Sequence, residues 1–201
     1  MSAPMQITSD IAVEHEEQKS TKMLGFWIYL MTDCILFASL FATYIVLTPG
    51  TYGGPSGRDI FDMPFVLAET LILLTSSFTC GLAVIAAQNK RKVYALVALG
   101  ITFLLGTAFL TLELTEFTSL VREGHSWQAS AFLSAFFTLV GTHGLHIAVG
   151  LLWIIVMVWH VMHSGLTAGN VRRLTLFSLF WHFLDIIWIF IFTIVYLMGV
   201  I

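Results

Sequence analysis

Five stretches of this chain are apolar almost without interruption, and short polar segments separate them. A helix needs roughly 20 apolar residues to cross a bilayer. The pattern therefore predicts five membrane-spanning helices, over about Leu24–Leu47, Phe65–Ala87, Val93–Glu116, Ala131–Val161 and Leu174–Gly199. The fourth and fifth exceed a minimal span, so tilt or extension beyond the lipid is expected. Strands of a membrane β-barrel alternate apolar and polar positions over about ten residues. These runs stay apolar for about twice that length, which excludes a barrel. The fold class is all-α, an integral membrane bundle of five helices.

The connections carry turn chemistry. Thr48–Pro64 holds Pro49, Gly50, Gly53, Gly54, Pro55, Gly57 and Pro64. Gln88–Lys92 reads as a tight polar hairpin. Phe117–Ser130 reads as a loop with Arg122, Glu123 and Gly124, and His163–Arg173 as one with Gly165, Gly169 and Asn170. Residues 1–23 are polar and carry Asp10, Glu14, Glu16 and Glu17. They lack the charged start, short apolar stretch and cleavage site of a secretory signal. The expected organisation is a mobile polar tail, 1–23, and a transmembrane domain, 24–201.

Composition points the same way. Of the 201 residues, 58% are hydrophobic and 10% charged, against about 25% charged in an average soluble domain. So few charges cannot coat a water-soluble globule of this size. The net charge of −3 and the absence of a basic tract give no reason to expect nucleic acid as a partner. Cys34 and Cys80 sit inside apolar runs, without zinc or redox spacing, and read as small apolar side chains.

Lys and Arg in short loops set orientation. The N-terminus and the second and fourth loops carry Lys19, Lys22, Lys90, Arg91, Lys92, Arg172 and Arg173; the other side carries Arg58 and Arg122. The N-terminus is therefore expected in the cytoplasm and the C-terminus outside.

Helix faces differ in character. Gly25, Tyr29, Thr32, Ser39 and Thr43 form a stripe on helix 1, and Glu69, Ser76, Cys80, Ala83 and Ala87 form one on helix 2. Small residues let membrane helices approach closely. Both stripes are expected at helix–helix contacts.

Eight ionisable side chains fall at membrane depth. Asp33 lies roughly 14 Å into helix 1, at 1.5 Å per residue. His182 and Asp185 lie at similar depth in helix 5, and His143 and His146 near the middle of helix 4. Glu69, Glu113 and Glu116 share the outer zone. A mid-membrane Asp costs about 2.5–3.5 kcal/mol, whereas twenty apolar residues return roughly 6–12 kcal/mol. Insertion is affordable, yet each carboxylate must be protonated, paired or wet. The pairs Glu113/Glu116, His143/His146 and His182/Asp185 are each spaced i,i+3 and share a face.

The plainer reading of this set is buried polar contacts that fix helix register, with His and Asp at matched depth satisfying each other. The alternative is a proton relay or ion path. Glu69 has no basic residue at its level and is the carboxylate singled out for function; a hydrogen bond to a hydroxyl or to Glu113 is its simpler alternative. Haem ligation would need histidines from two helices, and only His182 could oppose His143 or His146. Copper lacks a third histidine. His15, His125, His160 and His163 read as solvated surface groups.

At these residues the chain resembles subunit III of haem–copper oxidases. Thr142-His143-Gly144-Leu145-His146, followed by Gly150, is similar to that family's H-G-x-H helix. Phe180-Trp181-His182-Phe183-Leu184-Asp185-Ile186-Ile187-Trp188 is similar to its W-H-F-x-D-x-x-W signature. Phe65-Val66-Leu67-Ala68-Glu69-Thr70 resembles the segment around its buried glutamate, and Glu116-Phe117 its glutamate–aromatic pair. The larger members have seven helices, and their first two have no counterpart here, as in short bacterial forms. Gly25-Phe26-Trp27-Ile28-Tyr29-Leu30-Met31 and Asp59-Ile60-Phe61-Asp62-Met63-Pro64-Phe65 are similar to the ubiquinol oxidase branch.

The resemblance implies a complex that oxidises ubiquinol, reduces O₂ to water and pumps protons. It places haems and copper in subunit I and no redox cofactor or catalytic residue in this chain. Subunits I, II and IV are the implied partners, with phospholipid bound in a cleft between helices. The implied role is support of assembly and of sustained proton uptake in the bacterial inner membrane. With the first two helices missing, part of that cleft's wall is expected to be absent or supplied by a neighbour. Three other functions compete: a five-helix cytochrome c oxidase subunit III, an autonomous carrier and a free-standing haem protein. A carrier often shows inverted repeats, and no internal repeat is visible here.

Overall fold

The computed structural model describes residues 3–50 and 62–200, and every one of its long elements is a helix. The chain divides into two compact units, Met1–Ala38 and Ser39–Ile201. Helix α1 runs Ala3–Leu47, α2 Met63–Gln88, α3 Lys92–Arg122, α4 Ala131–Ser164 and α5 Ala168–Ile191. The last helix continues through a π-helical segment, Phe192–Leu197, and a final turn, Met198–Val200. Five helical stretches among the described residues are long and apolar enough to cross a membrane.

The ends are set by local chemistry. Pro64 stands in the first turn of α2, where a missing N–H costs nothing. The α2–α3 hairpin closes with Lys90 N–H on Ala87 O and Arg91 N–H on Ala86 O, with Lys90 in the left-handed region at φ 57°. Helix α3 ends in the same kind of turn, and there glycine takes the left-handed place, Gly124 at φ 88°. Ser130 caps α4 by accepting from Leu133 N–H at 3.1 Å. Thr167 caps α5 by accepting from Asn170 N–H at 3.3 Å.

Three boundaries differ from the sequence reading. Phe117–Arg122, expected as loop, is the last part of α3: polar residues alone do not end a helix, and the first conformational stop is Gly124. The loop expected at His163–Arg173 shrinks to the residues between Ser164 and Ala168, because the Thr167 cap starts α5 early. The polar stretch expected as a mobile tail is helical from Ala3, continuous with the first span. Gly53, Gly54, Pro55, Gly57, Arg58 and the Asp59-Ile60-Phe61 part of the quoted segment lie outside the described residues. So do the side chains of Asp10, Glu14, His15, Glu16, Glu17, Lys19 and Lys22.

Helices α2 to α5 pack in a ring, α2 on α3, α3 on α4, α4 on α5 and α5 on α2. The stripe expected on α2 is buried in this ring: Glu69, Ser76, Cys80, Ala83 and Ala87 are all interior. On helix 1, Gly25, Tyr29, Thr32, Ser39 and Thr43 are exposed in this chain. Thr32 and Thr43 spend their hydroxyls on their own helix, donating to Tyr29 O at 2.7 Å and Ser39 O at 2.8 Å. A threonine so satisfied can face lipid. The outward faces of α2 to α5 expose Phe78, Leu104, Leu145 and Leu152, among others. In water so large an apolar surface would be an interaction site or a liability; lipid is the solvent it suits. Cys34 is exposed, Cys80 is buried, and both are free thiols.

Candidate functional site

The interior of the ring is built on two tryptophans of α5. Trp181 donates from Nε1 to Ser76 Oγ on α2 at 3.0 Å. Ser76 donates in turn to Thr102 O on α3 at 3.4 Å, and Thr79 and Thr102 join hydroxyls at 2.9 Å. The Trp181 ring lies against Gly106 of α3 and Gly150 of α4. A Cβ at Gly106 would meet the ring at 3.0 Å, and one at Gly150 at 2.7 Å. One indole thus touches all the other helices of the ring. Two turns further along α5, Trp188 donates to Thr70 Oγ1 on α2 at 3.0 Å. Its ring packs on Phe109 at 4.7 Å and on His143 at 5.1 Å. The sequence reading quoted both tryptophans without a role. The signal lay in their chemistry: a buried indole N–H needs an acceptor, and Ser76 and Thr70 supply it.

The histidines are spent separately. His143 is fully buried and donates from Nε2 to Leu184 O at 3.2 Å; its Nδ1 meets no partner among the described residues. His146, half-buried, bonds from Nδ1 to Thr142 O on its own helix at 2.7 Å. The two bond to different carbonyls and still interact electrostatically. His160 and His163 bond back to Val156 O and Trp159 O. His182 is held by Ser77 and Ser178, and His143 is enclosed by Phe109 and Trp188. Among the described residues no three His, Cys, Asp or Glu side chains are grouped to share a metal ion.

The acidic residues of α2 and α3 do gather. Glu69 and Glu113 are buried, Glu116 is half-buried, and the three interact electrostatically. Tyr196, in the π-helical segment, donates to Glu116 Oε2 at 3.1 Å. The carboxyl oxygens of Glu69 and Glu113 accept no hydrogen bond among the described residues. The simpler alternative for Glu69, a bond to a hydroxyl or to Glu113, is thus not found there. Glu113 also lines a pocket of about 270 Å³ between α3 and α4, beside Gly141 and Gly144. The sequence reading missed Tyr196, because nothing in an apolar run announces that a π-helical turn will redirect one side chain. Such turns are frequent at functional sites.

His182 and Asp185 share a different place, a groove between α2 and α5 lined also by Ser77, Phe78 and Gly81. Ser77 Oγ and His182 Nδ1 are 2.6 Å apart, and Ser178 Oγ and His182 Nε2 3.4 Å. Asp185 interacts electrostatically with His182 and lines the same groove as Ser77. The two interact within α5, and His182 also reaches Ser77 of α2. Asp33 is buried and belongs to the first unit.

This arrangement can hold helices in register and can hold protons on a carboxyl cluster. Known proteins resemble the chain along nearly its whole length. The family described as Cytochrome c oxidase subunit III matches residues 6–200. The chain is 59% identical over 177 residues to the cytochrome bo(3) ubiquinol oxidase subunit 3 of Pseudomonas aeruginosa, covering 88% of this chain and 85% of that protein. It is 52% identical to the subunit of the same name in Pseudomonas putida, covering 92% and 89%. It is 46% identical to the cytochrome c oxidase subunit 3 of Bacillus sp. strain PS3, covering 100% of both. With five apolar helices and this similarity, the chain is a multi-pass membrane protein that belongs to the family of haem–copper oxidase subunits III.

Proposed function

We propose that this chain is subunit III of a proton-pumping bo-type ubiquinol oxidase of the aerobic respiratory chain. The observation that carries the reading is the 59% and 52% identity, over most of each chain, to two subunits of that name. A second reading, subunit III of a cytochrome c oxidase, has its own support in the 46% identity to the Bacillus protein.

In the proposed complex, ubiquinol oxidation and O₂ reduction occur on haems and copper held by subunit I. Subunits II and IV are further partners, and phospholipid binds between helices. This chain is non-catalytic and supports assembly and sustained proton uptake. The polar contacts support that division: Trp181, Trp188, His143 and His182 each spend a polar atom on a neighbouring helix or turn. Glu69, Glu113 and Glu116 are the proton-handling candidates, with Asp33, His146 and Asp185 as structural ones.

The complex lies in the bacterial inner membrane, with residues 1–23 in the cytoplasm, 24–201 forming the membrane domain, and the C-terminus in the periplasm. The bias of seven Lys and Arg to two supports this orientation. The test is oxidase activity of the complex purified through a tag on this chain. Ubiquinol is expected to be oxidised and reduced cytochrome c to be refused. Turnover of cytochrome c alone would select the second reading.

A further inference from the structure

The last helix leaves α-helical winding at Phe192 and stays π-helical to Leu197, over Phe-Thr-Ile-Val-Tyr-Leu. Breaks in helical winding usually trace to proline or glycine, or to a group inserted from outside the helix. These six residues include neither proline nor glycine, so the winding is set by what the segment packs against. Two tyrosines bond at adjacent positions of it. Tyr196 is fully buried and donates to Glu116 Oε2 at 3.1 Å. Tyr44 of α1 is also buried, and its hydroxyl donates to Val195 O at 3.4 Å. Both contacts lie within the second compact unit, Ser39–Ile201.

Aromatic packing fixes both phenols. The Tyr44 ring lies 6.0 Å from Phe132 of α4, and the Tyr196 ring 5.9 Å from Phe136, one turn further along the same helix. Trp188 lies 6.2 Å from Tyr196. Among the described residues, Tyr196 is the one hydrogen-bond donor that reaches a carboxyl of the Glu69, Glu113 and Glu116 cluster. A π turn spans one residue more than an α turn between its bonded groups. Rewinding the segment as α would turn the chain by up to one position, about 100°. That rotation would carry the Tyr196 hydroxyl off Glu116.

We propose that Tyr44 is a positioning residue for this cluster: its hydroxyl on Val195 O holds the π turn that keeps Tyr196 on Glu116. The Tyr44 bond is long for a hydroxyl donor, so Tyr44 tips a balance between two windings and does not clamp one. Glu116 has its donor only while the turn is π. Helix α1 thereby acts on a carboxyl of α3 that it need not touch, through one turn of the last helix. The meaning of this in turnover rests on the reading of Glu69, Glu113 and Glu116 as proton-handling groups; the positioning itself is read at rest.

The test uses the complex purified from membranes in mild detergent, at rest. Infrared spectra read the Glu116 carboxyl band, assigned by its loss in Glu116→Gln, and hydrogen exchange reads the amides of residues 192–198. Tyr196→Phe removes the donor and is expected to shift the band. Tyr44→Phe keeps the ring on Phe132 and removes only the hydroxyl. It is expected to shift the band in the same direction and to speed exchange at 192–198 about threefold or more. The double variant is expected to shift the band no further than Tyr196→Phe alone, because Tyr44 acts through Tyr196. Tyr94→Phe, at the other end of α3, is expected to match the parent in both readouts. An unmoved band or unchanged exchange in Tyr44→Phe, an added shift in the double variant, or the same changes in Tyr94→Phe would each overturn the proposal. A shifted band with unchanged sustained turnover would uphold it and count against the proton-handling reading instead.

Discussion

Trp181 of α5 stands so close to Gly150 of α4 that a Cβ at Gly150 would lie 2.7 Å from the indole ring. The contact is possible only because position 150 has no side chain. Replacing Gly150 with Ala forces the ring to move, and the ring cannot move freely: Gly106 bounds it on α3 and Ser76 holds its N–H on α2. Overpacking of this kind costs typically about 1–3 kcal/mol. Gly150→Ala is expected to lower unfolding stability by that amount, read from denaturation in mixed micelles. Ala at Gly100, where a Cβ would meet nothing within 4 Å, is expected to change it little.

The bond from Trp188 to Thr70 links α5 to α2 a second time. Polar bonds between membrane helices average about 0.6 kcal/mol and reach about 1.7. A double-mutant cycle of Thr70→Val and Trp188→Phe is expected to give a coupling energy in that range. A coupling near zero would mean that the indole finds another acceptor.

The helices were legible because lipid imposes long apolar runs, and the α2 stripe because its small residues line a ring interior. The limits of legibility are equally physical. Glu113 and Glu116 could be placed on one face by spacing, yet their company with Glu69 depends on how α2 docks on α3. His143 and His146 share a spacing, but the carbonyl that each one bonds could not be read from it. The π-helical turn at Phe192–Leu197, which brings Tyr196 to Glu116, has no signal in the run of apolar residues around it.

Glu69 accepts no hydrogen bond among the described residues. Its neutral isostere therefore removes no contact. Glu69→Gln is expected to assemble normally and to leave quinol binding and initial electron transfer intact. The rate under sustained turnover is where a proton-handling role would register. Total loss of electron transfer at the first turnover would contradict a non-catalytic residue.

Asp185 is a different case, because it interacts with His182, which in turn meets Ser77. Asp185→Leu removes the acidic group and sets a bulkier apolar side chain beside His182 and Ser77. A buried polar group left without its partner costs about 1–3 kcal/mol. Weaker assembly is expected, measured as the yield of intact complex in mild detergent. An unchanged yield would remove Asp185 from the structural network.

The most direct measurement is recovery of this chain from membranes through an affinity tag, with visible spectroscopy and peptide identification of whatever accompanies it. A large haem-bearing subunit with a Soret band is expected in the eluate, and the chain stripped of that partner is expected to be colourless. Recovery of the chain alone, or of a Soret band from the chain by itself, would contradict a non-catalytic subunit III.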